Sequence, residues 1–130
     1  RQSSGSIRSI LGRKCRFDLW EPDTFAMNKA LPYKDALNEH GPTTRLKRAY
    51  TYKALNRLIQ ASAADMTKQA MVDIHRLGIT PLIQIHDEVA VSVSNDDQID
   101  SIVHAMENAV KLGVPSKVDV EIGPSWGESK

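Results

Sequence analysis

Three consecutive polar residues, His86-Asp87-Glu88, interrupt a run that is otherwise apolar and alternating. Two adjacent carboxylates repel each other unless positive charge sits beside them. A hard divalent cation meets that need, because Mg²⁺ takes oxygen ligands and few protein carboxylates. The other reading is a plain turn, since acidic residues favour turns. A second group comprises Asn56 and Gln60, four apart, with Lys53 and Thr67 in the same helical sector. Amides placed there could donate and accept at base edges in a minor groove, and Lys53 could reach phosphate. A solvated helix flank has the same composition. Two basic clusters, Gly12-Arg13-Lys14 with Arg16 and Arg45-Leu46-Lys47-Arg48, suit non-specific phosphate contact. They are equally readable as solvated charge runs. His86 taken alone reads as a hydrogen-bonded structural histidine, and Met66, Met71 and Met106 read as core. No phosphate-binding glycine loop, Cys/His metal spacing or serine nucleophile elbow accompanies them.

These side chains need a frame. Leu55, Ile59, Met66, Ala70, Ile74 and Leu77 recur at helical spacing and fall in a stripe about 100° wide. Gly78 and Pro81 stop the pattern. The spacing predicts a long helix that starts between Arg45 and Thr51, ends at Leu77, and carries Asn56 and Gln60. From Leu82 to Val93, Ile83 and Ile85 alternate on one side and Val89, Val91 and Val93 on the other. That is a β-hairpin with His86-Asp87-Glu88 at its tip. Asn95 caps a second helix with Gln98 as capping-box partner. Ile99, Ile102, Val103, Met106 and Val110 form its apolar face, and Gly113 and Pro115 stop it. Residues 117–122 alternate again and predict a final strand, with Val118, Val120 and Ile122 inward. Trp126 is the one large anchor in the tail. Before the long helix, a small hairpin turning at Gly12 is expected, ended by Glu21-Pro22-Asp23. Ser3 to Ser9 reads as loop. Residues 24–42, with breakers Pro32, Gly41 and Pro42, read as loop with at most a helical turn. The layout is α+β: a long helix and a second helix packed on a small antiparallel sheet.

Composition sets the bounds. The chain has 130 residues, of which 41% are hydrophobic and 25% charged, the size and balance of one globular domain. Aromatics are only 5%, so the core leans on Ile, Val, Leu, Met and Ala. No run reaches the ~18–20 apolar residues of a membrane span, and the first residues lack the apolar stretch of a signal peptide. Cys15 has no internal partner for a disulfide, which fits a reducing compartment and a cytoplasmic location. The net charge of +1 hides a split. Residues 1–60 hold twelve Lys/Arg against five Asp/Glu (net +7), and residues 61–130 hold five against eleven (net −6). Such asymmetry suits a chain with one polyanion-facing side.

Taken together, the motifs resemble a known family. The stretch from Asn56 to Met71, NRLIQASAADMTKQAM, resembles the helix of family A DNA polymerases that reads N-x-x-x-Q-G-[ST]-A-A-D-x-x-K-x-A-M. Gln84-Ile85-His86-Asp87-Glu88 is similar to that family's last palm motif, Q-[VI]-H-D-E. Ile10-Leu11-Gly12-Arg13-Lys14 resembles its T-L-x-G-R-[RK] segment between fingers and palm. Gly123-Pro124-Ser125-Trp126-Gly127 resembles the G-x-x-W tail common among phage members. The resemblance is collinear over essentially the whole chain. It implies a segment from fingers to palm in residues 1–44 and a C-terminal palm segment in 45–130. It also implies two-metal nucleotidyl transfer: a primer 3′-hydroxyl attacks the α-phosphate of a dNTP and pyrophosphate leaves. Asp87 would hold catalytic Mg²⁺, with Glu88 an auxiliary carboxylate and His86 near the primer terminus. Asn56 and Gln60 would touch the minor groove of primer–template DNA. Arg13, Lys14, Lys53 and Arg48 would serve its backbone.

The departures also carry information. Ala61 stands where the family often has Gly, and Tyr52 where bacterial members commonly have Arg, a contact that Lys53 or Arg48 would then take over. The D-x-x-x-x-E-x-R motif with the other catalytic aspartate is not in this sequence, nor are the dNTP-binding residues of the fingers. The expectation is a polymerase part that is inactive alone, a fragment or the small piece of a split enzyme. It would need a complementary chain or segment carrying the fingers, thumb and first palm aspartate. A sizeable apolar patch should then stand exposed where that partner belongs. The alternative is a non-catalytic nucleic-acid-binding or structural module. An independent metal-dependent hydrolase has too few visible ligands.

Overall fold

Short-range pairing governs the first part of the chain and helical periodicity the second. A computed structural model describes residues 5–128, so Ser3 and Ser4 of the expected N-terminal loop lie outside the described residues. Contacts divide the chain into two compact units, Arg1–Ser62 and Ala63–Lys130. The boundary between these ranges falls within the long helix.

In the first unit, β1 (Ser6–Arg8) and β2 (Lys14–Arg16) form an antiparallel hairpin about Gly12 as expected, but its first strand lies within the stretch expected to be loop and its second ends at Arg16, short of Glu21-Pro22-Asp23. Gly12 turns it with φ +87°, a conformation that costs a residue with a Cβ. A three-stranded sheet follows, which the sequence pattern does not announce. In it β3 (Leu19–Pro22) lies between β4 (Leu31–Pro32) and β5 (Leu46–Arg48). Residues 46–48 are therefore strand, paired as Trp20↔Arg48 and Pro22↔Leu46, and not the start of the long helix. Tyr50 breaks the chain there with φ +61°, and a single 3-10 turn, Thr51–Lys53, leads into α2, Ala54–Arg76. The stretch expected to be loop holds α1, Tyr33–His40. Pro32 and Gly41 are its two ends rather than signs of disorder. Asp35 in its first turn complements the helix dipole. Phe17, Ala36 and Ala49 are buried. Asn28 Nδ2 ties the 24–28 loop to Thr24 and Ala26, while Phe25 and Met27 stand fully exposed.

In the second unit α2 stops at Gly78, which has φ +81° and donates its N–H to His75 O at 3.0 Å. β6 (Pro81–Ile85) and β7 (Glu88–Val91) form the hairpin, irregular between Pro81 and Ile83. Asn95 caps α3 (Asp96–Asn108), accepting from Gln98 N at 3.0 Å, while Gln98 Oε1 accepts from Ser94 N at 2.7 Å. Ile74, Ile79 and Ile102 are the buried core, and Val89, Val91, Val93, Ala105 and Met106 pack against it. Burying each isoleucine stabilises the unit by about 1.5–3 kcal/mol before entropy is counted.

The expected strand over 117–122 does not form. Val118 N donates to Glu107 Oε1 at 3.2 Å, and Lys117 Nζ lies 3.8 Å from the same oxygen, so α3 holds this segment through one carboxylate. Val120 and Ile122 are exposed, as is Trp126 in the tail. The α+β class stands, built as three small antiparallel sheets rather than one.

Candidate functional site

The acidic turn is tighter than the tripeptide suggests. Ile85 pairs with Glu88, so the turn is His86-Asp87 alone and Glu88 begins β7. His86 adopts φ +54°, the left-handed region that histidine visits more readily than most side chains and that primed hairpin turns require at their first central residue. Gln84 Nε2 donates to His86 O at 2.6 Å and closes the turn from below. The glutamine of the motif thus has a structural role, pinning the loop that presents Asp87. Asp87 and Glu88 are both exposed. Among the described residues no three His, Cys, Asp or Glu side chains converge into a metal-holding group. An exposed Asp87 carboxylate with a second carboxylate next in sequence has the hard-oxygen chemistry that Mg²⁺ takes.

The hairpin's two faces differ. Direct partners in an antiparallel pair share a face, so Ile83, Ile85, Glu88 and Ala90 stand together, opposite Val89 and Val91. The valines face the core, whereas Ile83 is 41% and Ile85 39% exposed.

On the first unit, Asn56 and Gln60 are exposed one turn apart on α2. Leu55 and Ile59 beside them are 68% and 60% exposed, so the helix's apolar stripe is uncovered here, in contrast to Ala70 and Ile74 further along. Lys53, in the preceding 3-10 turn, holds its ammonium 5.4 Å from the Tyr50 ring centre and 5.6 Å from that of Tyr52. The tyrosine at the position of the missing arginine therefore helps to place a lysine.

Two motifs that are separate in sequence meet. Ile10 N donates to Ser62 Oγ at 3.0 Å, and Arg13 Nη2 donates to Ala61 O at 3.0 Å. Ser62 Oγ in turn donates to Leu58 O at 2.7 Å. The Gly12 loop is thus fastened to α2 at Ala61 and Ser62, one and two residues beyond Gln60. Arg57 strengthens the joint, with its guanidinium 5.2 Å from the Phe17 ring centre and Nη1 3.8 Å from Cys15 Sγ. Arg13, expected at phosphate, directs at least one donor to the helix. Lys14 is exposed on β2, directly opposite Arg8. Arg48 is half-buried, with its guanidinium 4.5 Å over the Trp20 ring and Nη1 donating to Phe17 O at 2.8 Å. Asp65, 5% exposed on α2, is a buried carboxylate that sequence reasoning passed over. The A-A-D triplet alone gives no sign of its burial.

The chain belongs to DNA polymerase family A, whose family model matches residues 1–128. It is 40% identical over 125 residues to the DNA-directed DNA polymerase of Pseudomonas phage M6, covering 96% of this chain and 15% of that protein. It is 40% identical over 86 residues to DNA polymerase I of Geobacillus stearothermophilus, covering 59% of this chain and 10% of that protein. Among solved structures, the POL domain of Pol1 from M. smegmatis, in complex with DNA primer-template and dNTP, is similar with a TM-score of 0.67 at 28% identity. That match covers 96% of this chain and 20% of the other. The chain therefore spans a small part of the length of its relatives. No described helix is long and apolar enough to cross a membrane.

Proposed function

We propose that this chain supplies one carboxylate arm of the palm in a DNA-directed DNA polymerase, acting in the cytoplasm, of a host cell if it is phage-encoded. Residues 1–44 would link fingers to palm and residues 45–130 would be the C-terminal palm segment. The observation that carries the reading is the Asp87 turn, clamped by Gln84, in a chain of this family. Asp87 would hold Mg²⁺, with Glu88 beside it. Divalent ions held there would supply the positive charge that makes a primer 3′-hydroxyl a better nucleophile and that balances charge on a departing pyrophosphate.

The chain's own residues do the positioning. Asn56 and Gln60 would face the minor groove of primer–template DNA, where acceptor positions are common to all correct base pairs, so they would check geometry without reading sequence. Lys53, held between two tyrosines, and exposed Lys14 would meet backbone phosphates. Arg13 would act by holding the Gly12 loop on α2, and Arg48 by fixing the sheet behind it. His86 would lie near the primer terminus. Asp87 is one carboxylate, and the second aspartate of a two-ion site belongs to a segment outside these 130 residues. The uncovered Ile83–Ile85 face of the hairpin supports a neighbouring element there.

The test is complementation. This chain alone should not extend a primer, and adding a polypeptide with the fingers, thumb and first palm aspartate should restore extension. Extension by this chain alone would overturn the proposal.

A further inference from the structure

We propose that a groove in the first unit seats an unpaired nucleobase of single-stranded DNA. This rests on reading the chain as part of a DNA polymerase. One face of the β3-centred sheet forms the floor, because Trp20 stands directly opposite Arg48 and Leu46 lies next along β5 on the same side. Tyr33 and Leu37, one turn apart on α1, form the wall, and Asp18 completes a groove of about 470 Å³. That volume lies within the range of small-ligand sites, about 300–1,000 Å³.

The lining is suited to a flat heteroaromatic ring. Trp20 and Tyr33 meet edge to face, with ring centres 5.0 Å apart at 62°. Tyr33 as a whole residue is 49% exposed. Arg48 stacks on Trp20 and is fixed by its bond to Phe17 O, so the guanidinium is already oriented before anything binds. Aromatic faces combined with a stacked arginine are how single strands are held without sequence preference. Asp18 decides which part of a nucleotide enters. Its carboxylate repels phosphate and accepts from the amino groups of bases, so the base goes in and the backbone stays out. Lys34, exposed beside Tyr33, and the +7 net charge of residues 1–60 supply attraction for that backbone. A base within a duplex keeps its faces stacked and does not fit.

The experiment is fluorescence anisotropy with the full protein that carries this chain, using a labelled single-stranded dodecamer, a blunt hairpin duplex and free dNTP as competitor. Tyr33 is half exposed but also packs on Trp20, so the circular dichroism spectrum and urea midpoint of each variant are read beside its binding, and Tyr33→Phe keeps that ring contact. Tyr33→Ala should weaken single-strand binding about 5- to 100-fold. Tyr33→Phe should retain it, and duplex binding should be unchanged in both. Unchanged single-strand affinity in Tyr33→Ala overturns the proposal, as does an equal loss on the duplex. Displacement of the dodecamer by free dNTP at matching affinity also overturns it, by assigning the groove to a mononucleotide. Duplex binding that persists while single-strand binding ignores Tyr33 refutes the groove alone. No binding of either nucleic acid refutes the polymerase reading with it.

Discussion

Ser62 shows how one hydroxyl can hold a joint together. It accepts from Ile10 N and donates to Leu58 O, fastening the Gly12 loop to the helix that carries Gln60. Ser62→Ala leaves the Ile10 amide without that acceptor, and should lower stability by about 1 kcal/mol in urea denaturation. In the complete polymerase the same change should weaken primer–template binding by loosening the loop. At this scale the sequence was legible where chemistry demands an odd residue type. Three polar residues inside an apolar run mark the Asp87 turn, and the capping residue Asn95 is where its type places it. It was not legible where role depends on what folds alongside. Arg48 and Arg13 look like phosphate ligands in a basic run, yet each bonds to a backbone carbonyl within its own unit. Nothing in their neighbours in sequence marks Phe17 O or Ala61 O as partners. The positive φ of His86 and the Gln84 clamp were equally hidden, although both glutamine and histidine belong to the motif.

Elements with a strong period were readable and elements made by pairing were not. α2, α3 and the β6–β7 hairpin follow from the spacing of Ile, Val, Leu and Met. α1 is eight residues long, too short for a period to emerge, and its proline and glycine ends imitate a loop. β4 has two residues and β5 three, so their existence depends on β3 lying between them. Residues 117–122 fail in the opposite direction. Alternation says which side chains would face inward, but a strand also needs a free edge, and here Glu107 takes the Val118 amide instead. The core gives this scale its prediction. Ile74 is fully buried between α3 and the hairpin valines. Ile74→Ala should cost about 2–5 kcal/mol by chemical denaturation. Leu55→Ala, on the exposed part of the same stripe, should cost far less in this chain. Equal losses at the two positions would show that the stripe is covered along its whole length.

For the molecule as a whole, exposed apolar surface and unequal charge are the two features that bear on the proposed need for a further segment. Ile83 and Ile85 share the hairpin's outer face with Glu88, next to the proposed metal-holding turn. Ile85→Lys should leave the fold of this chain intact, as read by circular dichroism, yet weaken complementation by the proposed palm segment, because a charged side chain would have to be desolvated at an apolar contact even with Glu88 opposite it. Complementation unaffected by Ile85→Lys would place the interface elsewhere. The charge split fits the same picture: the +7 portion contains the loop, strands and helix start assigned to DNA, and the −6 portion contains Asp87 and Glu88, where cations would gather. The most direct test of the account is primer extension with Mg²⁺ by the complemented polymerase, comparing the native chain with Asp87→Asn. The account predicts that Asp87→Asn lowers the extension rate by about 100-fold or more while primer–template affinity stays within a few fold. A rate indifferent to Asp87→Asn would contradict it.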